Sequence, residues 1–115
     1  GLYCIPKRKY FNNRSIMILT DKAKEDFKEW VFENYYFQDL NVLYPLHLID
    51  TLIIEFFDSV GIYIEIHYSR ILGDKFLCIV NTEANYNLTS YQDSRQQATE
   101  QAIIKANEIH NARTN

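Results

Sequence analysis

Glycine, proline and cysteine are scarce in this chain, and each shortage excludes a class of protein. Three dispersed glycines cannot build a phosphate-binding loop, and with only two prolines they predict few tight turns. The two cysteines, Cys4 and Cys78, form no Cys-x-x-Cys pair, which excludes a zinc knuckle and a thioredoxin-type redox motif. Cys78 stands between Leu77 and Ile79 in an apolar run, so we expect it to be a buried thiol that behaves as a small hydrophobe.

Long apolar runs are also missing. None approaches the roughly 18–20 residues that a membrane-spanning helix needs. The opening segment lacks the hydrophobic region of a secretory signal peptide. We therefore expect a cytoplasmic protein that does not associate with membranes.

The residues that are abundant predict one globular domain with an uneven charge. Apolar residues make up 47% of the 115 positions and aromatic residues 15%, enough for a core. Residues 1–15 carry four basic and no acidic side chains, whereas the remainder has a net charge of −7. We interpret residues 1–16 as a basic N-terminal arm that the fold does not need, and residues 17–115 as a single α+β domain. Met17, the only methionine, is an alternative start of the native product.

Two helices are predicted in the first half. Thr20 suits the N-cap of a helix that runs to about Tyr36, and apolar residues recur at helical spacing from Ala23 to Val31. Pro45 suits the first turn of a second helix, which Gly61 would end as a C-terminal cap. For residues 51–57 a buried strand is the alternative, because Ile-Ile and Phe-Phe pairs are common in sheets.

The second half predicts three strands and a helix. Residues 62–69 alternate between apolar and polar side chains, the period of a half-buried strand. Lys75–Thr82 is a second β-rich run and Tyr86–Tyr91 a weaker third, after which Ser94 and Gln97 form a capping box. The fold class we predict is α+β, with two N-terminal helices, a three-stranded antiparallel meander and a C-terminal helix packed on the sheet.

The strands also provide the candidate surfaces. The second strand is apolar on both faces, so something must cover the side that carries Leu77 and Ile79. We expect that side to be an interface, either with more of this chain or with a second copy, and we predict a homodimer. Tyr63, Glu65 and His67 form a polar row on the first strand, which is either a functional site or an ordinary solvated or interface face.

No catalytic, metal-binding or cofactor-binding residue can be assigned. The histidines His47, His67 and His110 have no neighbours at metal-ligand spacing. Glu55 and Asp58 share a helical face, where paired carboxylates can do acid–base or metal chemistry, but a solvated face is the favoured interpretation. No cofactor is expected, and a non-enzymatic protein is favoured over an enzyme, although a site assembled from residues distant in sequence stays open.

Three stretches carry a resemblance to a known group: Leu19–Phe27, Phe56–Ile64 and Lys105–Ile109. They resemble small uncharacterised proteins of Bacteroides phages and related mobile elements. The resemblance implies a phage or mobile-element context and no particular chemistry. The hypothesis for function is therefore an accessory or interaction module with an unidentified protein partner.

A second resemblance is topological. The order helix, three strands, helix is similar to the double-stranded RNA-binding domain, and Ser94–Ala98 resembles the start of its last helix. That family contacts RNA there through a lysine cluster, where this chain has the uncharged or acidic residues Gln96, Gln97, Thr99 and Glu100. We therefore expect no nucleic-acid binding by the body. A nucleic-acid-associated module that uses the basic arm is the alternative function.

Overall fold

The structure is a computed structural model, and it describes residues 14–35, 46–88 and 91–114. The helices are α1 (Arg14–Ile18), α2 (Asp21–Tyr35), α3 (Leu46–Ser59) and α4 (Arg95–Thr114). The strands are β1 (Tyr63–Ser69), β2 (Lys75–Asn81) and β3 (Tyr86–Leu88), which form an antiparallel sheet in the order β1-β2-β3. The predicted α+β fold is therefore confirmed.

The N-terminal region contains a short helix that the sequence pattern does not reveal. Helix α1 straddles the boundary predicted between arm and domain. Ile16 and Ile18 pack against the core, and Leu19 is buried within it. The first thirteen residues of the arm lie outside the described residues, so the role of the arm stays a prediction.

Helix α3 confirms the helical interpretation of residues 51–57. Leu52, Ile53, Phe56 and Phe57 form a wide buried stripe at helical spacing. The helix ends in a Schellman motif: Ile62 N donates to Phe57 O, Gly61 N donates to Asp58 O, and Gly61 has a φ of 78°. The predicted cap at Gly61 thus sets the angle at which the chain enters β1.

The sheet and α4 enclose the core between them. On β2, Cys78 and Val80 point to the inner face and are fully buried. They meet a stripe of small residues on α4, Ala98, Ala102 and Ala106, which are also fully buried. Because alanine adds little bulk, the helix axis can approach the sheet closely, as the sequence pattern predicts.

The first turns of α2 and α4 are capped in different ways. Ser94 Oγ accepts a hydrogen bond from Gln97 N at 3.1 Å, while the Gln97 side chain accepts one from Asp93 N at 3.2 Å. This resembles the predicted capping box, shifted by one residue at its second bond. At α2 the predicted N-cap, Thr20, does not supply the cap with its own hydroxyl. Asn111 of α4 does so, by accepting a hydrogen bond from Ala23 N at 2.8 Å.

Candidate functional surface

The outer face of the sheet unites the two groups of residues that the sequence singles out. In the antiparallel register of β1 and β2, Glu65 lies opposite Ile79 and His67 lies opposite Leu77. Directly paired residues project to the same side of a sheet. We therefore call outer face the surface formed by residues of this parity, which include Tyr63, Glu65, His67, Ser69, Lys75, Leu77, Ile79, Asn81 and Tyr86.

A small hydrogen-bonded group lies at the centre of the outer face. His67 Nε2 is 3.1 Å from Glu65 Oε1, and Asn81 Nδ2 donates to Glu65 Oε2 at 3.3 Å. Both the histidine and the glutamate side chains are about half exposed, at 54% and 52%. A pair this open to water contributes little to stability, and its polar atoms are accessible to another molecule.

The apolar part of the outer face is unevenly covered. Ile79 is only 7% exposed and Leu77 is half-buried, whereas Tyr63 and Tyr86 are 48% and 64% exposed. The core cluster includes inner-face residues of both long strands and no residue of the outer face. The described helices therefore pack on the inner face, and among the apolar and aromatic residues of the outer face the tyrosines are the exposed ones.

A cleft of about 780 Å³ lies at one end of the sheet. It is bounded by the end of α3, the β2–β3 turn and the last turns of α4. Its lining residues are Val60, Gly61, Tyr63, Thr82, Glu83, Ala84, Asn85, Ile109, Ala112 and Arg113. Glu65 and His67 are not among them. Arg113 is already engaged, since its Nη1 donates to Val60 O at 2.6 Å and so caps α3.

His110 forms a buried contact between α2 and α4. The residue is 5% exposed, and its Nε2 lies 2.8 Å from Asp26 Oδ2. Asp26 also pairs with Lys22 at 2.9 Å. Burial alone would raise the pKa of Asp26, but the hydrogen bonds from His110 and Lys22 outweigh it and lower that pKa. The sequence suggests only a helix-dipole role for His110, and the structure adds a specific partner 84 residues away.

Glu55 and Asp58 lie on one face of α3, as their spacing predicts. Glu55 Oε1 accepts a hydrogen bond from Tyr35 OH at 2.6 Å, which raises the pKa of the tyrosine. Partial burial, with the charge of Glu55, raises the pKa of Asp58. Both residues nevertheless keep much of their surface exposed to solvent. The contact with Tyr35 gives Glu55 a structural role between α2 and α3.

Comparisons of the chain with known proteins do not identify these sites. No protein-family model, curated protein or solved structure matches this chain. Over the described ranges, no three metal-ligating side chains lie close enough to hold an ion. In the same part of the chain, no helix has the length and apolarity to cross a bilayer.

Some residues of the outer face escape the sequence analysis. Asn81 and Tyr86 join it through strand register: Asn81 lies opposite both Tyr63 and Tyr86. Asn81 has the same parity as Leu77 and Ile79, so the sequence pattern alone could have placed it on this face. The sequence pattern does not reveal the register between β1 and β2, which places the Asn81 amide beside Glu65. The side chain of His47 and all of Cys4 lie outside the described part of the chain.

Proposed function

We propose that this chain is a non-enzymatic interaction module that acts as a homodimer and uses its sheet as the contact element. The observation that carries the proposal is the one-sided layering of the fold. The described helices pack on the inner face, whereas on the outer face Tyr63 and Tyr86 stay 48% and 64% exposed and Glu65 and His67 stay about half exposed. A sheet with one face and one edge available offers a large surface for association.

The position of the polar residues supports an interaction surface over an active site. Acid–base catalysis needs its groups gathered where substrate is held and water is excluded. Glu65 and His67 are half exposed and lie outside the cleft. The cleft itself has Glu83 and Arg113 as its charged side chains, and the guanidinium of Arg113 holds the end of α3. The exposure of Glu65 and His67 on an open sheet face therefore supports a binding surface.

The proposed biological context rests on the resemblance to phage and mobile-element proteins and on the net charge of the domain. The resemblance to phage and mobile-element proteins supports an accessory protein that works in the cytoplasm. The net charge of −7 beyond residue 15 disfavours contact with a phosphate backbone. In this proposal the homodimer contacts a further protein partner, and the half-exposed Tyr63 and Tyr86 are suited to that contact because tyrosine is enriched at protein interfaces.

Light scattering coupled to gel filtration tests the homodimer. At micromolar concentration we expect a mass of twice the chain's 13.7 kDa, falling toward the monomer value on dilution. A monomer mass at every concentration up to the solubility limit would overturn the proposal. A mass above the dimer that rises steadily with concentration would also contradict it, because a two-fold interface closes at two copies.

A further inference from the structure

The outer edge of β1 indicates how the two copies of the proposed homodimer pair, and this inference rests on that homodimer. We propose that two copies pair antiparallel through their β1 strands, about a two-fold axis at Ile66. The two three-stranded sheets then form one continuous sheet of six strands.

Within the described residues, strand β1 is an open edge. It is seven residues long and its one neighbour in the sheet is β2, so over residues 14–35, 46–88 and 91–114 no strand pairs with its other side. The opposite edge strand, β3, has only three residues. Natural edges are usually blunted by lysine, proline, a bulge or a short length. Strand β1 contains no lysine or proline, and its pairing with β2 is continuous over all seven residues.

The hydrogen bonds of Phe76 establish which groups of β1 face outward. Phe76 exchanges two backbone hydrogen bonds with Gln92, at 2.8 and 2.7 Å, so its N–H and C=O point away from β1. Its partner Tyr68 therefore belongs to a pair without hydrogen bonds, and such pairs alternate along an antiparallel ladder. It follows that Ile64, Ile66 and Tyr68 direct their N–H and C=O groups to the open edge.

A two-fold axis at Ile66 brings these outward groups together. Ile66 then lies opposite Ile66 of the second copy, and Ile64 lies opposite its Tyr68. Each of these pairs can exchange both backbone hydrogen bonds, because every residue involved points its N–H and C=O outward. All seven residues of the strand find a partner in this register.

Complementarity between a carboxylate and an imidazole selects this register. With the axis at Ile66, Glu65 of each copy lies directly opposite His67 of the other, on the outer face. Opposite charges at such cross-strand positions stabilise a pair, and like charges destabilise it. An axis at Glu65 would place two glutamates opposite each other, and an axis at His67 two histidines. An axis at Ile64 or Tyr68 would leave part of the strand unpaired.

The inner side of the edge supports the same arrangement. Ile64 and Ile66 face the helices and contact the core, yet both stay only partly buried. Pairing at Ile66 would cover the remaining exposed area with the same residues of the second copy. The outer faces of the two copies would meet at the Glu65–His67 pairs and form one surface with twofold symmetry.

Two charge variants test the pairing. The double variant Glu65→Lys, His67→Lys makes both positions basic, and His67→Glu makes both acidic. Each variant alone places like charges opposite each other, so we expect its dimer dissociation constant to rise at least about tenfold. Mixed in equal amounts, the two variants form complementary pairs at both positions. We expect the mixture to recover the dimer, which native mass spectrometry resolves as a heterodimer.

The backbone is tested by Ile66→Pro, with Ile66→Val as its control. Proline removes an outward N–H that the chain's own ladder does not use, and proline is tolerated at such edge positions. We expect the proline variant to keep its helical circular dichroism and be a monomer, and the valine variant to stay a dimer. Dimeric charge and proline variants would overturn the edge pairing while leaving the homodimer standing. A monomeric native chain would overturn the homodimer itself, and the edge pairing with it.

Discussion

Asn111, near the end of α4, caps the first turn of α2 by accepting a hydrogen bond from the backbone N–H of Ala23 at 2.8 Å. Its amide group also donates to Thr20 O and Thr20 Oγ1, both at 3.2 Å. Asn107, one turn earlier, accepts a hydrogen bond from Thr20 N at 2.9 Å. Two asparagines of α4 thus satisfy backbone groups at the start of α2. These hydrogen bonds join the C-terminal helix to the N-terminal part of the domain.

Asn111→Ala should destabilise the protein, because it leaves the N–H of Ala23 without its acceptor. Loss of an N-cap acceptor costs about 0.5–2 kcal/mol. Urea unfolding followed by circular dichroism measures the change in the free energy of unfolding. Asn34→Ala, at an exposed site on α2, is the control and should change it by less than about 0.5 kcal/mol. Equal losses at the two sites would contradict the capping role.

The contact between Asn111 and Ala23 could not be predicted from the sequence. Thr20 has a local signature, a capping residue before a periodic helix, and it does lie at the helix start. The residue that completes the cap is 88 positions from Ala23, so no spacing in the sequence reveals it. The same limit explains why the pairing of His110 with Asp26 was not predicted.

The sheet was more predictable, since its signals are local. Alternation in residues 62–69 identified β1, and the cap at Gly61 identified the end of α3. The weaker third run was predicted to extend to Tyr91; the structure describes β3 over Tyr86–Leu88, residues 89–90 lie outside the described part, and Gln92 makes a separate bridge to Phe76. That bridge decides which groups of β1 face outward, and it depends on register, which the sequence pattern does not provide.

Acid should weaken the contact between α2 and α4. Burial alone would raise the pKa of Asp26, but the hydrogen bonds from His110 and Lys22 together outweigh it and hold that pKa below its ordinary value of 3.8. A carboxylate with a lowered folded-state pKa contributes stability above its unfolded-state pKa, and that contribution is lost as pH falls through the folded-state value. We therefore expect Asp26→Asn to reduce the pH dependence of the free energy of unfolding below about pH 5.

The control for Asp26 is Glu83→Gln, at an exposed position of the β2–β3 turn. Urea unfolding at several pH values between neutral and strongly acidic gives the slope for each protein. The control should keep the slope of the native chain. If Asp26→Asn also keeps it, the ion pair does not contribute to acid sensitivity and the assignment is wrong.

Asp58→Asn should increase the free energy of unfolding at neutral pH. Burial, with the charge of Glu55, raises the pKa of Asp58, so its ionised form opposes folding at neutral pH. Asp58 also lies near the C-terminus of α3, where a negative charge is unfavourable. We expect a gain of about 0.3–1 kcal/mol at low ionic strength, decreasing with salt and disappearing at acidic pH. A loss of stability at neutral pH would contradict this account.

Cys78 should react slowly with thiol reagents in the native state. Its side chain is fully buried between the sheet and α4, so labelling requires the core to open. The variant Cys4→Ser restricts the measurement to this residue. Ellman's reagent should show little reaction until denaturant is added, when one thiol per chain should react. Rapid labelling of the native protein would contradict the burial of Cys78.

The most direct test of the central claim is the exchange of the β1 backbone amides, measured by NMR over a dilution series. The amides of Glu65 and His67 face β2, so their protection should not depend on protein concentration. The amides of Ile64, Ile66 and Tyr68 face the open edge and should be protected only in the dimer. The account predicts that dilution removes protection from these three amides while the other two keep it. If the three exchange rapidly at concentrations where the protein is a dimer, the copies do not pair through β1.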